Sequence, residues 1–169
     1  ADDSNTKVFT RTCASGSFLS DHAVNEMTVS TINDGPWDFV VLQAQKYSTS
    51  GRYTYPYDAA IKLSELGKEQ GAKVIMFPEW GQAGNPDEAR RVQTLHEEIA
   101  EITGALVSPI GLAWDRATVE HPNVHFHQDD GNHASPTGAY LTACVLYATI
   151  TGRNPSEIPC HNDLLASLQ

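Results

Sequence analysis

The sequence predicts an α/β domain, a three-layer α/β/α sandwich built on a parallel sheet. Three observations predict it. Apolar runs of strand length recur along the chain. Two of them are continuously apolar rather than alternating, as strands covered on both faces are. Stretches with helical caps and helical spacing lie between them, and alternation of this kind builds helices onto both faces of a sheet.

The first expected strand is Lys7-Val8-Phe9-Thr10-Arg11. The two continuously apolar ones are Trp37-Asp38-Phe39-Val40-Val41-Leu42 and Ala72-Lys73-Val74-Ile75-Met76-Phe77, and Ala105-Leu106-Val107-Ser108 is a weaker fourth. A helix is expected from His22 to Asn33, and another from Tyr57 to Gln70, where Gly71 stops it. The clearest helix starts at Asn85-Pro86-Asp87-Glu88. There Asn is a good cap, Pro suits the first turn and the acids complement the helix dipole. Its apolar face is Ala89, Val92, Leu95, Ile99 and Ile102, and Gly104 ends it. A last helix, Ser135 to Thr151, is apolar nearly all round and is therefore expected to be buried. There is no internal repeat and no low-complexity tract.

The chain has 169 residues and 18.4 kDa, which suits one domain, 1–169. Hydrophobic residues at 40% with 19% charged exclude general disorder. No run reaches the roughly 20 apolar residues of a membrane span. With 21 acidic against 11 basic side chains the net charge is −10, which argues against a nucleic-acid partner. Cys144 and Cys160 either bridge or stand as half-buried thiols, with Cys13 left over. The first residues are polar, with no signal-like apolar stretch and no initiator Met, and read as a processed or trimmed terminus. A secreted or periplasmic location is the expectation, with a cytoplasmic one left open.

Sites in open α/β sheets lie on loops beyond the carboxyl ends of the strands. The most informative loop is Asp129-Asp130-Gly131-Asn132-His133-Ala134-Ser135-Pro136-Thr137-Gly138-Ala139-Tyr140. It is expected to open the last helix, with Asp130 and His133 on one turn. A carboxylate there accepts from one imidazole nitrogen and leaves the other as a general base. On spacing alone, a helix-start acid beside a solvated His is the favoured reading.

Asp130-Gly-Asn-His133 followed by Ser-Pro-x-Gly-Ala-Tyr-Leu resembles the last block of the SGNH (GDSL-like) hydrolases, where the Asp and His belong to a Ser-His-Asp triad. Trp37 to Gln45 is similar to the third block, in the form of a bacterial branch with an aromatic-Asp-x-Val-Val-Leu-Gln strand. On that alignment Gln43 falls at the family's Gly, and Gln45 at the Asn whose amide serves the oxyanion hole. Ser15 to His22 is similar to the second block and implies a backbone N–H donor at Gly16. Phe77-Pro78-Glu79-Trp80-Gly81 is like the segment that borders the substrate cleft in this branch. The resemblance implies a flavodoxin-like sheet, His133 as base, Asp130 as its orienting acid, an oxyanion hole from Gly16 and Gln45, and substrate contacts from Gln43, Trp80 and Tyr47.

The family's first block, a strand running into Gly-Asp/Asn-Ser, has no counterpart. Ser17 is the fallback nucleophile, but it directly follows Gly16 and no apolar strand delivers it. In the flavodoxin-like order 2-1-3-4-5 the missing strand is central. The expectation is a separate, bound N-terminal peptide carrying that strand and its Ser, the rival being a chain longer than the one given.

His121, His125, His127 and His133 make a His-rich stretch, read as an exposed loop rather than a metal site. No cofactor is expected. Asp115-Arg116 reads as a local ion pair or solvated surface. Tyr47, Tyr53, Tyr55 and Tyr57 form a polar aromatic loop that suits either surface packing or stacking on sugars, and Gln82 and Asn85 are further hydrogen-bonding candidates. The function expected is hydrolysis of a small ester, a carbohydrate ester first. The alternative is a non-catalytic carbohydrate-binding or scaffold domain that has lost the serine. A nucleotide binder is disfavoured, because no Gly-rich phosphate loop follows any strand.

Overall fold

The computed structural model describes residues 7–13, 17–43 and 52–157. Three parallel strands, β1 (Phe39–Gln43), β2 (Lys73–Phe77) and β3 (Leu106–Val107), form a sheet in the order β1-β2-β3. Phe39 to Gln43 pair in step with Lys73 to Phe77, and Ile75 and Met76 pair with Leu106 and Val107. The helices are α1 (Leu19–His22), α2 (Glu26–Asn33), α3 (Asp58–Glu69), α4 (Glu88–Thr103), α5 (Ile110–Glu120) and α6 (Pro136–Thr151), with a 3-10 turn at Pro155–Glu157. No helix among the described residues is long and apolar enough to cross a membrane.

The continuous apolar character of β2 has its cause in two cores. Val74 and Met76 join Leu42, with Leu19, Ile32, Ala60, Leu63 and Ile99 from α1 to α4, on one face. Phe77 joins Ile110 and Trp114 of α5 and Phe126 on the other, with Leu141, Val145 and Leu146 of α6 packed against them. Helices therefore cover both faces of the sheet, the expected α/β/α arrangement.

Three of the four expected strands and the three later helices are present. Gly104 ends α4 in the left-handed region at φ 68°, as a stop residue should. Several local expectations are corrected. Lys7 to Arg11 is not a strand, and Val8 and Phe9 are 79% and 82% exposed. A strand exists only through a ladder partner. Among the described residues β1, the first strand of the sheet, pairs on one side only, with β2.

The helix expected over His22 to Asn33 starts instead at Glu26, because Asn25 caps it and accepts from the Thr28 N–H at 3.0 Å, while His22 ends the short α1. Helix α4 begins at Glu88 rather than Asn85. The Glu88 carboxylate folds back to accept from the Gln82 N–H at 2.7 Å and from the Asn85 amide at 3.3 Å. Ile102, expected on its apolar face, is exposed. Helix α6 is half-buried along most of its length, with only Gly138 and Thr142 fully buried. Its packing among the described residues is chiefly against α5 and the cluster around Trp114, which covers one side of a helix apolar on all sides.

Candidate active site

The site is built from the start of α6 backwards. Ser135 caps α6: its Oγ accepts from the Gly138 N–H at 3.1 Å and donates to the His125 carbonyl at 2.8 Å. Pro136 follows at the first helical position, where its missing N–H costs nothing. Gly138 is required by close approach, since a Cβ there lies 2.2 Å from the Phe126 carbonyl oxygen and 2.4 Å from the Trp114 ring.

Upstream of this cap the chain forms a tight hairpin. His127 and Ala134 make an antiparallel bridge, and the Gln128 N–H donates to the His133 carbonyl at 2.8 Å. The turn closes through the Gly131 N–H to the Gln128 carbonyl at 2.9 Å, with Gly131 at φ 67°. This corrects the expectation that Asp130 and His133 share a helical turn. Gly131 in the left-handed region cannot continue a helix, and the Ser135-Pro136 cap sets the start five residues after Asp130.

The hairpin nevertheless makes the pair that the family resemblance implies. One Asp130 oxygen, Oδ1, accepts from the Asn132 and His133 N–H groups at 2.9 Å each. The other, Oδ2, accepts from His133 Nδ1 at 2.5 Å. The hydrogen bond from His133, followed by the two backbone N–H groups, holds the Asp130 carboxyl down to about 2. A carboxylate that stays ionised is an acceptor only, so Nδ1 carries a proton, and in the neutral imidazole it is Nε2 that holds the lone pair. The pair is open to solvent: the His133 side chain is 70% exposed and that of Asp130 47%.

Four hydrogen bonds dock the hairpin on the segment after β2, at the carboxyl end of the sheet. Trp80 Nε1 donates to the Asn132 carbonyl at 2.8 Å, and the Ala83 N–H to the Gly131 carbonyl at 2.8 Å. His127 Nε2 donates to the Gly81 carbonyl at 2.8 Å. Gln43, at the end of β1, donates its amide to Glu79 Oε1 at 2.9 Å and so ties the ends of β1 and β2 together. Gln82 reaches Asn132 Oδ1 at 3.3 Å. A shallow, open hollow of about 530 Å³ lies on the Asp130 flank of the pair, between His127, Gln128, Asp129, Ser135 and Pro136.

The expected site residues thus divide into three groups. Asp130 and His133 are in contact, and Trp80 and Gln43 stand at the same end of the sheet. Gly16, Gln45 and Tyr47 lie outside the described residues, as does Cys160. Ser17 is exposed ahead of α1, and no described serine hydroxyl hydrogen-bonds His133 Nε2. Cys13 and Cys144 are free thiols. Arg116 pairs with Glu120, one helical turn on, at 2.8 Å, rather than with Asp115, whose carboxyl is pushed up by burial. Among the described residues no cluster of three or more His, Cys, Asp or Glu is placed to hold a metal. His127, one member of the His-rich stretch, is occupied by Gly81 and stands edge-on to Trp114.

Two residues that matter here carried no expectation of their own. Trp114 sits on α5, a helix marked in the sequence by Ile110, Trp114 and Ala117 at helical spacing. Glu79 was part of a recognised segment, but its contact with Gln43 spans 36 residues and has no local signature.

No protein-family model matches the chain, and a search of the curated proteins finds no match. Among solved structures, a protein from Slackia heliotrinireducens provisionally described as an SGNH hydrolase is similar, at 24% identity and a TM-score of 0.67 over 80% of each chain. At that identity the likeness establishes the fold: an SGNH-hydrolase-like α/β fold.

Proposed function

We propose that the chain is the greater part of an SGNH-type ester hydrolase acting on a small ester, a carbohydrate ester being the first candidate. The observation that carries this reading is the Asp130–His133 pair at the carboxyl end of a parallel sheet, with Nδ1 committed to the carboxylate and Nε2 facing outward. In the reaction His133 Nε2 takes the proton of a serine hydroxyl as it attacks the ester carbonyl, and later returns it to the departing alcohol. Asp130 keeps the tautomer and stabilises the imidazolium. The Gly16 N–H and the Gln45 amide are the proposed oxyanion donors.

The serine is proposed to come from a strand that pairs with the open side of β1, on a segment outside the described residues. Three features support this placement. Among the described residues, β1 has a strand partner on one side only, α6 is apolar on sides that α5 does not cover, and the run from Lys7 to Arg11 pairs with no strand. The alternative, a non-catalytic carbohydrate-binding domain, draws on one observation: no described serine hydroxyl meets His133.

A serine-reactive fluorophosphonate probe applied to the intact protein, followed by peptide mass spectrometry, separates the two. Labelling of a serine that is lost with His133→Ala supports the hydrolase. Sugar binding with no labelled serine supports the binding domain. In the hydrolase reading His133→Ala lowers turnover of p-nitrophenyl acetate by about a thousandfold while the fold is retained. Undiminished turnover rejects the assignment.

A further inference from the structure

We propose that Trp80, together with the Gln43–Glu79 pair, forms a saccharide-binding subsite beside His133. The argument starts from a stack of two indoles. The Trp80 and Trp114 rings lie 4.2 Å apart between centroids and within 5° of parallel. Trp114, 2% exposed, is the inner ring, and its Nε1 is held by Thr142 Oγ1 at 3.0 Å. Trp80 is the ring of the stack that reaches solvent. Its own Nε1 is spent on the Asn132 carbonyl, the residue before His133. The plane of Trp80 is thus fixed through its face by Trp114 and along its edge by Asn132.

A platform held this way has no rotamer freedom left to lose when a ligand settles on it, which removes a usual cost of binding. Trp80 is half-buried, and with Nε1 already taken the part of it that reaches solvent is apolar ring without a hydrogen-bond donor, a surface suited to the C–H face of a pyranose. The residue preceding Trp80 is Glu79, which holds the Gln43 amide at 2.9 Å. That contact fixes Gln43 while leaving its carbonyl oxygen and second N–H for other partners. A planar amide held at the same end of the sheet as an aromatic plane is a polar complement of ring hydroxyls. Glu79, Asp129 and Asp130 make this end of the sheet acidic, so a neutral polyhydroxylated ring fits it and an anionic one does not.

The subsite rests on the ester-hydrolase reading only in naming His133 as the neighbouring base. Sugar binding is therefore measured without an ester bond. Neutral methyl pyranosides (the glucoside, xyloside and N-acetylglucosaminide) are titrated into the full-length protein, followed by tryptophan fluorescence and by calorimetry. Saturable binding by at least one is expected. Trp80→Ala weakens it by about tenfold or more. Trp80→Phe, which keeps a ring against Trp114 and guards against a folding defect, weakens it less but measurably. Glu79→Gln weakens it by about tenfold because the Gln43 amide loses the charged acceptor that holds it.

His133→Ala leaves sugar binding within about twofold while stopping hydrolysis. If that variant kept its hydrolysis while the Trp80 variants lost the sugar, the hydrolase reading would fall and the subsite would stand. No binding of any of these glycosides, or unchanged binding in both Trp80→Phe and Glu79→Gln, overturns the subsite. Binding of benzyl alcohol in their place also overturns it, by making the platform an aryl site.

Discussion

Replacing Gly138 by Ala tests the frame on which the site is built. The new Cβ falls 2.2 Å from the Phe126 carbonyl oxygen and 2.4 and 2.6 Å from two carbons of the Trp114 ring. Ordinary contact begins near 3.4 Å, so α6 must withdraw from these groups by about 1 Å. Neither neighbour yields easily. Trp114 is buried, stacked on Trp80 and bonded to Thr142. The Phe126 carbonyl already accepts from the Ser135 N–H at 2.9 Å, which anchors the cap of the same helix. Overpacking that cannot relax through a side-chain rotamer costs about 3 kcal/mol, the upper end of the usual range. With a urea m-value of about 2 kcal/mol/M, the unfolding midpoint should fall by about 1.5 M. Urea titration followed by tryptophan fluorescence measures it directly. A midpoint within about 0.2 M of the parent protein would refute the claim that Gly138 is held by close packing.

Two further predictions concern pH. Asp130 titrates at about 2 in the folded protein, below its ordinary value of 3.8. Its stabilising contribution is therefore complete above about pH 4 and lost as pH falls towards 2. Urea midpoints at pH 5 and pH 2.5 should converge between the parent protein and Asp130→Asn, and a constant difference across that interval would contradict the assignment. His96 is 0% exposed, with Nδ1 on the Val92 carbonyl at 2.8 Å and no partner for Nε2, and burial pushes its pKa down. A His kept neutral in the fold loses stability as pH drops below about 6.5, with a slope of at most about 1.4 kcal/mol per pH unit. His96→Leu should flatten the fall in melting temperature between pH 7.5 and 5, and an unchanged slope in that variant would exclude His96 as its source.

The parts of the fold legible in the sequence are those governed by local rules. The runs at Phe39 to Leu42 and Lys73 to Phe77 needed only their apolar continuity to be read as doubly covered strands. Gly104 and the Ser135-Pro136 cap needed only backbone chemistry. The parts that were misread depend on what lies across space. Lys7 to Arg11 has the composition of a strand and, among the described residues, no ladder to join. Asp130 and His133 have the spacing of one helical turn, yet Gly131 bends them into a hairpin that makes the same contact by a different backbone route. Helix α6 has the composition of a fully enclosed helix, but burial is a property of its neighbours, and α5 supplies one side.

The sequence by itself determined the α/β class, the three strands of the sheet and helices α3, α4 and α6, because each rests on periodicity or caps, while the Asp130–His133 pair was implied by the family resemblance rather than by its spacing. Only the tertiary structure decided that β1 pairs with β2, that Trp80 lies on Trp114, and that Glu79 grips Gln43. Those contacts join residues 34 to 36 positions apart. Their geometry is set by how helices and strands pack, which no local pattern of side chains encodes.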